Sequence, residues 1–315
     1  MKNILITSDH HIKESELEEC NLIHDELITI KEQYNIDTYI NAGDSFDRIN
    51  PSPKEVDCFS TFLTKLNIPS IIIAAKSHES ISANESILNH FGILNKFIQI
   101  LPEYKDENHL YIGHFILKES KLNYGATKSK KAFSKFRYVI LGHQHSYELI
   151  KPNCCQLGST RYINFDESND KSKKILVITD YNEESEKCHF LDLKTPYPMA
   201  SVVLDKSGAK TRDLKGKQGI FESISDLKTY LNTLNPKTKV RIVFKDYELW
   251  RAFLPIFKEY ESKFILLKEQ KEFMKQIINQ VQNQKNIPIL ESLKNWMQKN
   301  KVEETIQNIL LKEFV

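Results

Sequence analysis

Residues 136–145, FRYVILGHQH, join two patterns that together predict the fold. The first half is a short run of apolar and β-branched residues, which is typical of a buried strand. The second half is Gly142 followed by His143 and His145. Residues two positions apart leave a strand on the same side, so these two imidazoles can face one metal ion.

Four other apolar runs end in the same way, with polar side chains directly after a predicted strand. The runs are NILIT (3–7), DTYINAG (37–43), SIIIAA (70–75) and HLYIGHF (109–115). The side chains that they deliver are Asp9 and His11, then Asp44 and Asp47, then His78, then His114. Five strand ends with metal-binding residue types indicate one shared site.

Helical patterns at 14–33, 52–66 and 84–94 separate the first strands, and the second of them begins with a Ser-Pro start signal. Strands that alternate with helices predict a largely parallel sheet covered by helices. Sites in such sheets collect at the carboxyl ends of the strands. The sequence therefore predicts an α/β fold with its site at one sheet edge.

The pattern changes after residue 154. Three short strand patterns, CCQLG, KKILVITDY and EKCHFLDL, predict an antiparallel sheet, and residues 194–217 are typical of a polar linker. A small α/β unit follows, and the last forty-odd residues are predicted to be helical, with Trp296, Met297, Ile306, Ile309 and Leu310 on apolar faces. We expect three domains, at 1–193, 194–272 and 273–315.

Composition limits the class of protein. The 315 residues are 40% hydrophobic and 27% charged, with a net charge of +2, so DNA contacts would have to come from local basic patches. No apolar run is long enough to span a membrane, and the first residues are too short for a signal-peptide core. Five scattered cysteines without a C-x-x-C pair favour the cytoplasm, or a host's cytoplasm for a viral protein, with no disulfide and no structural zinc.

The predicted site has the composition of a two-metal centre. Five of the ten histidines follow or end predicted strands, together with carboxylates. Mixed carboxylate and imidazole ligands suit Mn²⁺, Fe or Zn better than Mg²⁺ or Ca²⁺. Asp44 is the natural bridging carboxylate, because two ions about 3.5–4 Å apart can activate a water and bind a phosphate between them.

The ordered set D-x-H, G-D-x-x-D, H, G-H and G-H-x-H resembles the calcineurin-like metallophosphoesterases. Together, GHQHSYELI and GSTRYINFDE (158–167) are similar to the SbcD nucleases of double-strand-break repair, which include the small subunits of phage recombination endonucleases. The resemblance covers residues 1–190. It implies a metallophosphoesterase β-sandwich flanked by helices, a small α/β capping domain, and C-terminal helices that dock an SbcC-like SMC-type ATPase.

The same resemblance implies a role for each site residue. Asp44 would bridge two divalent ions, His78 would protonate the leaving oxygen or stabilise the transition state, and Asp47 would orient a ligand from outside the ligand set. The remaining ligands would be Asp9, His11 and His145 for one ion, and His114, His143 and Ser77 for the other. We expect two Mn²⁺ ions and a metal-dependent DNA nuclease, as a homodimer within its complex.

The sequence departs from the family at Lys76-Ser77-His78-Glu79, where the family has G-N-H-[DE]. Ser77 offers a shorter side chain than the amide that it replaces, so we expect the second ion to be weakly held. Two interpretations stay open at this point: an active nuclease that needs much metal, or a weakened site kept for its architecture.

DNA binding is predicted for one basic stretch, KSGAKTRDLKGK, although a solvated lysine-rich loop fits it equally well. Its cations are Lys206, Lys210, Arg212, Lys215 and Lys217. Lys128, Lys130 and Lys131 form a second such group.

Two alternatives to a nuclease are a phosphodiesterase for small nucleotides and a non-catalytic scaffold that presents DNA to a partner ATPase. The C-terminal apolar faces can also pack on each other within the chain.

Overall fold

The computed structural model describes residues 2–74, 97–123, 126–206, 219–274, 289–299 and 301–312. The predicted helix at 84–94 lies outside these ranges. The chain divides into two units, Met1–Pro198 and Met199–Val315, and each is described by itself.

The first unit contains two β-sheets. The six strands of sheet one are, in spatial order, β11 (Lys187–Leu193), β10 (Lys173–Thr179), β1 (Ile4–Thr7), β2 (Thr38–Asn41), β3 (Ser70–Ile73) and β4 (Ile98–Leu101). The five strands of sheet two are β5 (Tyr104–Asp106), β6 (Leu110–His114), β7 (Tyr138–Gly142), β9 (Cys154–Gln156) and β8 (Glu148–Lys151). The strands β1 to β4 are parallel to one another, and so are β6, β7 and β9.

The prediction that the three strand patterns after residue 154 form an antiparallel sheet is confirmed for the second and third, which pair antiparallel as β10 and β11, and is wrong for the first. β9 pairs in parallel with β7 inside sheet two, whereas β10 and β11 extend sheet one as antiparallel strands beside β1. An alternating pattern shows which side chains face a core, but it does not specify the neighbouring strand.

The two sheets of the first unit pack face to face. Ile6 and Ile40 from sheet one share a buried cluster with Ile112 and Ile140 from sheet two. The opposite face of sheet one is covered by α1 (Leu17–Gln33) and α2 (Pro53–Leu66). This arrangement confirms the predicted mixed α/β fold, in which a sandwich of sheets is flanked by helices.

The start of α2 shows how local sequence sets an element. Ser52 accepts a hydrogen bond from the Glu55 backbone N–H, and the Glu55 side chain accepts one from the Ser52 N–H, which is a capping box. Pro53 occupies the first helical position, where no N–H is needed. The helix therefore begins where the Ser-Pro signal predicts.

The second unit is a smaller α/β layer. Its parallel sheet has the order β13 (Gly219–Phe221), β12 (Met199–Leu204), β14 (Lys239–Phe244) and β15 (Leu266–Lys271). Its helices are α3 (Ile224–Thr233), α4 (Tyr247–Lys263), α5 (Ile289–Lys299) and α6 (Glu304–Lys312). β12 is buried at every position, so part of the predicted linker at 194–217 is an inner strand.

The C-terminal helices α5 and α6 contribute to the core of the second unit. Met297 and Leu310 are fully buried in one cluster with Trp250 and Phe253 of α4. Leu293 and Ile306 belong to the same cluster, and Trp296 and Ile309 pack against it while partly exposed. The apolar faces predicted to dock a partner are thus largely covered by this chain's own residues.

Across the ranges that the structure describes, no helix combines the length and the apolar character that crossing a membrane requires.

His24 on α1 couples the first unit's stability to pH. Its ring stacks on Phe62 with centroids 4.2 Å apart, and the His10 ring lies 5.5 Å away. Burial lowers the pKa of His24 well below its ordinary value, and burial also lowers the pKa of His10 to about 3. Below about pH 6.5 the unfolded chain therefore binds protons that the folded chain excludes, so stability is lost as the pH falls.

We predict that His24→Phe, which keeps a stacking ring without a titrating nitrogen, flattens this dependence. In urea denaturation between pH 6 and 5, wild type should lose up to about 1.4 kcal/mol per pH unit for each such histidine, and the variant should lose less by the contribution of one histidine. Ile23→Val, at a buried apolar position on the same helix, is the matched control and should keep the wild-type slope, because neither side chain titrates. Equal slopes for all three proteins would contradict the assignment.

Candidate metal centre

Four strands of the first unit end at one place. Sheet one contributes the loops after β1 and β2, which carry Asp9, His11 and Asp44. Sheet two contributes His114 as the last residue of β6 and the loop after β7 with His143 and His145. The candidate centre therefore lies at the carboxyl edge of both sheets, where sites in parallel sheets form.

Six of the predicted ligands come together there in two groups, each with one carboxylate and two imidazoles. The first group is Asp9, His11 and His145, and the second is Asp44, His114 and His143. Within each group the candidate ligand atoms lie within 4.8 Å of one another, so each group can hold a metal ion.

The two groups adjoin one another through Asp44. Its Oδ2 lies 3.2 Å from His114 Nε2 and 3.6 Å from His11 Nε2, so one carboxylate oxygen faces an imidazole of each group. His143 Nδ1 lies 3.2 Å from His114 Nε2, and the His143 backbone N–H donates to Asp9 at 3.0 Å. These contacts connect loops from both sheets.

Four of the six candidate ligands have left-handed backbone, which non-glycine residues adopt at a cost of about 1–3 kcal/mol each. The φ angles are 50° for Asp9, 44° for His11, 48° for Asp44 and 89° for His143. Such strain persists only where surrounding structure imposes it and is concentrated at functional sites. Sharp turns at these residues aim the side chains into the shared edge.

His114 is fitted closely between the loops. Its Nδ1 donates to the Ala42 carbonyl at 2.8 Å, which leaves Nε2 towards Asp44. A Cβ on Gly142 would lie 2.7 Å from His114 Nδ1, 2.6 Å from the Ala42 carbonyl oxygen and 2.2 Å from Ser8 Oγ. Gly142 is therefore required by space, because any side chain would collide with the strand ends around it.

The electrostatics of the site favour cations. Burial opposes the ionised form of Asp9, but His114, His11 and His145 together hold the pKa of Asp9 well below its usual range. Burial opposes charge on His11 too, yet Asp47, Asp9 and Asp44 raise the pKa of His11 to about 10. Asp44 and Asp9 likewise outweigh burial and raise the pKa of His114 to about 9. The ionised, buried carboxylates stabilise positive charge on these imidazoles. A bound metal ion would supply positive charge at the same place.

Glu167 and Lys173 orient His145, although no sequence pattern predicts this role for them. Glu167 Oε1 lies 3.2 Å from His145 Nδ1, and Lys173 Nζ donates to Glu167 at 2.5 Å. Burial opposes the charge on Glu167, but His145 and Lys173 lower its pKa to about 2. A carboxylate on the second ring nitrogen fixes the orientation of a ligating histidine. The available signal was GSTRYINFDE, which ends in Glu167.

The other predicted site residues are placed only in part. Asp47 Oδ1 lies 3.6 Å from His11 Nδ1. Lys206, in the second unit, lies 3.7 Å from the Asp246 carboxylate. The residues outside the described ranges are Ser77, His78, Lys210, Arg212, Lys215 and Lys217.

Comparison with known proteins gives one sequence relative of limited extent. No family model matches the chain. Over 102 residues the chain is 30% identical to the probable exonuclease subunit 1 of Escherichia phage T5, and the match covers 30% of this chain and 31% of the relative. The similarity thus spans about a third of the relative's length.

Solved structures resemble the chain more remotely. A Thermus thermophilus protein is 9% identical with a TM-score of 0.39, and the match covers 60% of this chain and 98% of that one. A hypothetical protein from Pyrococcus horikoshii is 11% identical with a TM-score of 0.38, over 62% and 89% of the two chains. Yfce, a phosphoesterase from E. coli, is 13% identical with a TM-score of 0.31, over 60% and 98%. Likenesses at this level carry no weight for function.

We predict that Gly142→Ala destabilises the first unit by about 1–3 kcal/mol, the usual cost of overpacking, and displaces His114. Gly219→Ala is the control, because among the described residues its Cβ would meet the edge of the Phe221 ring, at 3.1 Å and 3.2 Å, and no backbone atom. Thermal unfolding and Mn²⁺ titration calorimetry of both variants test this. If Gly142→Ala had the same stability and the same Mn²⁺ affinity as the control, the loops would be shown to accommodate the added methyl group.

Proposed function

We propose that this protein is a metal-dependent phosphodiesterase that hydrolyses DNA, as the SbcD-like nuclease subunit of a DNA end-processing complex. The observation that carries the proposal is the pair of adjoining Asp-His-His groups at the carboxyl edge of the sandwich. The name of the phage relative, a probable exonuclease subunit, supports nucleic acid as the substrate class.

The residues present fit two divalent ions. Asp9, His11 and His145 would hold one, and His114 and His143 the other, with Asp44 shared because its Oδ2 faces both groups. Mixed imidazole and carboxylate donors suit Mn²⁺. When bound, such a pair supplies Lewis-acid stabilisation of a phosphoryl group and a water of lowered pKa.

The chain's own residues have further proposed roles. His78 is the proposed proton donor to the leaving oxygen, which rests on its place in the K-S-H-E stretch. Asp47 holds His11 from the side of Nδ1, at 3.6 Å, and thereby keeps Nε2 directed at the ligand groups. Ser77 is the proposed weak ligand of the second ion.

A small recess in the first unit that is lined partly by lysines supports contact with the DNA backbone. It has a volume of about 240 Å³, and its lining combines Lys130, Lys131 and Lys151 with Phe133, Ser134, Val139, Asn153 and Cys154. Grouped ammonium ions bind phosphates without reading sequence. The stretch from Lys206 to Lys217 is the second proposed DNA contact.

A partner ATPase of the SbcC type, and a homodimer within the complex, belong to the same proposal. Their support is that the phage relative is named as a subunit. Since Met297 and Leu310 are buried in the second unit's core, a docking partner has to use the outer sides of α5 and α6, where Leu290 is 39% exposed. Deleting these helices would therefore also open that core.

We predict that Asp44→Asn lowers Mn²⁺-dependent cleavage of linear duplex DNA by at least about 100-fold, because both ions lose their shared anion; changes outside the ligand set already cost about 10–100-fold. Asp192→Asn, at a 59% exposed carboxylate on β11, is the matched control. Wild-type turnover by Asp44→Asn would refute the two-metal account. Cleavage of a small phosphodiester with no action on DNA would instead favour the small-nucleotide enzyme.

We also predict that Ser77→Asn strengthens the second metal site by supplying an amide oxygen. The Mn²⁺ concentration for half-maximal cleavage should fall by about 10–100-fold. Lys76→Gly, which removes a charge without adding a ligand, should help less. Two equally tight sites in wild type, unchanged by Ser77→Asn, would mean that K-S-H-E is a working form of the motif.

A further inference from the structure

Arg161 is a buried arginine that reaches the loop after β1. Its side chain is 2% exposed. Its Nε donates to the His10 carbonyl at 3.1 Å, and its Nη2 donates to the His11 carbonyl at 2.5 Å. Two consecutive carbonyl groups of the loop after β1, the ligand loop that carries Asp9 and His11, thus accept hydrogen bonds from one planar guanidinium.

The ligand loop needs such support because its backbone is strained. Asp9 and His11 both have left-handed φ angles. On one side, the N–H groups of Asp9 and His11 donate to the carbonyls of Gly43 and Asp44 at 2.9 and 3.0 Å. Arg161 binds carbonyl groups of the same loop, so the loop is hydrogen-bonded through both its donors and its acceptors.

The charge of Arg161 is balanced at the start of α1. Its Nη1 donates to Glu16 and lies 3.6 Å from the buried Glu19 carboxylate. These pairs fix the guanidinium in one position, and burial withholds it from substrate. Arg161 therefore has the contacts of a residue that positions others.

We propose that Arg161 positions Asp9 and His11, two of the three ligands in the first group, and sets the metal affinity of that group without touching the ion. The inference rests on the proposed metal centre and deepens it. Arg161 acts through the carbonyls of His10 and His11, on the loop that also carries Asp9, whereas Asp44, His114 and His143 lie outside that loop. The effect should therefore be larger for the first group than for the second.

The test isolates each group in turn. His143→Ala leaves the first group intact, and His145→Ala leaves the second. Arg161→Lys keeps a positive charge beside Glu16 and Glu19 but lacks the planar fork that binds two carbonyls and a carboxylate together. Calorimetric titration with Mn²⁺ alone should show about 10–100-fold weaker binding for Arg161→Lys in the His143→Ala background, as for other residues that orient ligands. In the His145→Ala background the affinity should stay within about twofold.

Arg137→Lys is the matched control, since Arg137 is 53% exposed and pairs with Glu186 at 3.4 Å in the same unit. It should leave both affinities unchanged. Where Arg161→Lys does not fold, the double variant Arg161→Met/Glu19→Gln removes the guanidinium together with the buried charge that it balances, and the same comparison is made.

The outcomes separate this inference from the function on which it rests. Unchanged Mn²⁺ affinity in the His143→Ala background, or an equal loss in both backgrounds, overturns the positioning role and leaves the metal centre standing. No Mn²⁺ binding by the unsubstituted chain overturns the metal centre itself and the inference with it. Neither readout requires DNA cleavage.

Discussion

Asp44 Oδ2 lies within 3.6 Å of His11 Nε2 and 3.2 Å of His114 Nε2, although the three residues belong to separate strand ends in two sheets. A buried carboxylate is costly unless opposite charge surrounds it. Here the imidazoles supply that charge, and the carboxylates in turn raise the pKa values of His11 and His114. The strands and loops of both sheets in the first unit bring these carboxylates and imidazoles together.

The packed sheets of the sandwich support the loops that carry these candidate ligands. The central apolar cluster of the sandwich is built from residues of both sheets, so burial of this cluster holds the two sheets together. The loops then turn sharply, with left-handed backbone at Asp9, His11, Asp44 and His143. Close packing around Gly142 and hydrogen bonds from Arg161 stabilise these turns. Strain in the loops is thus balanced by well-packed structure around them.

In the second unit, the apolar faces of the C-terminal helices are buried within the unit's own core. The C-terminal helices supply Leu293, Met297, Ile306 and Leu310 to the same core as α4. An amphipathic helix shows that one face seeks apolar contact, but it does not show whether that contact belongs to the same chain or to a partner. A partner surface on these helices has to coexist with their structural role.

Local sequence by itself predicted many of the strands and helices and the identity of the candidate ligands. Apolar runs that end in D-x-H, G-D and G-H-x-H predicted strands with metal-binding residues at their carboxyl ends, and the Ser-Pro signal predicted the start of α2, because these features depend on neighbouring residues alone. Tertiary structure decided the rest. It placed β9 in one sheet and β10 in the other, made β12 an inner strand, and brought Arg161, Glu167 and Lys173 to the ligand loops. The pairing of β1 with β10 joins Ile4 to Ile178, and Arg161 binds the His10 carbonyl 151 positions away. No local pattern specifies which distant groups will satisfy one another.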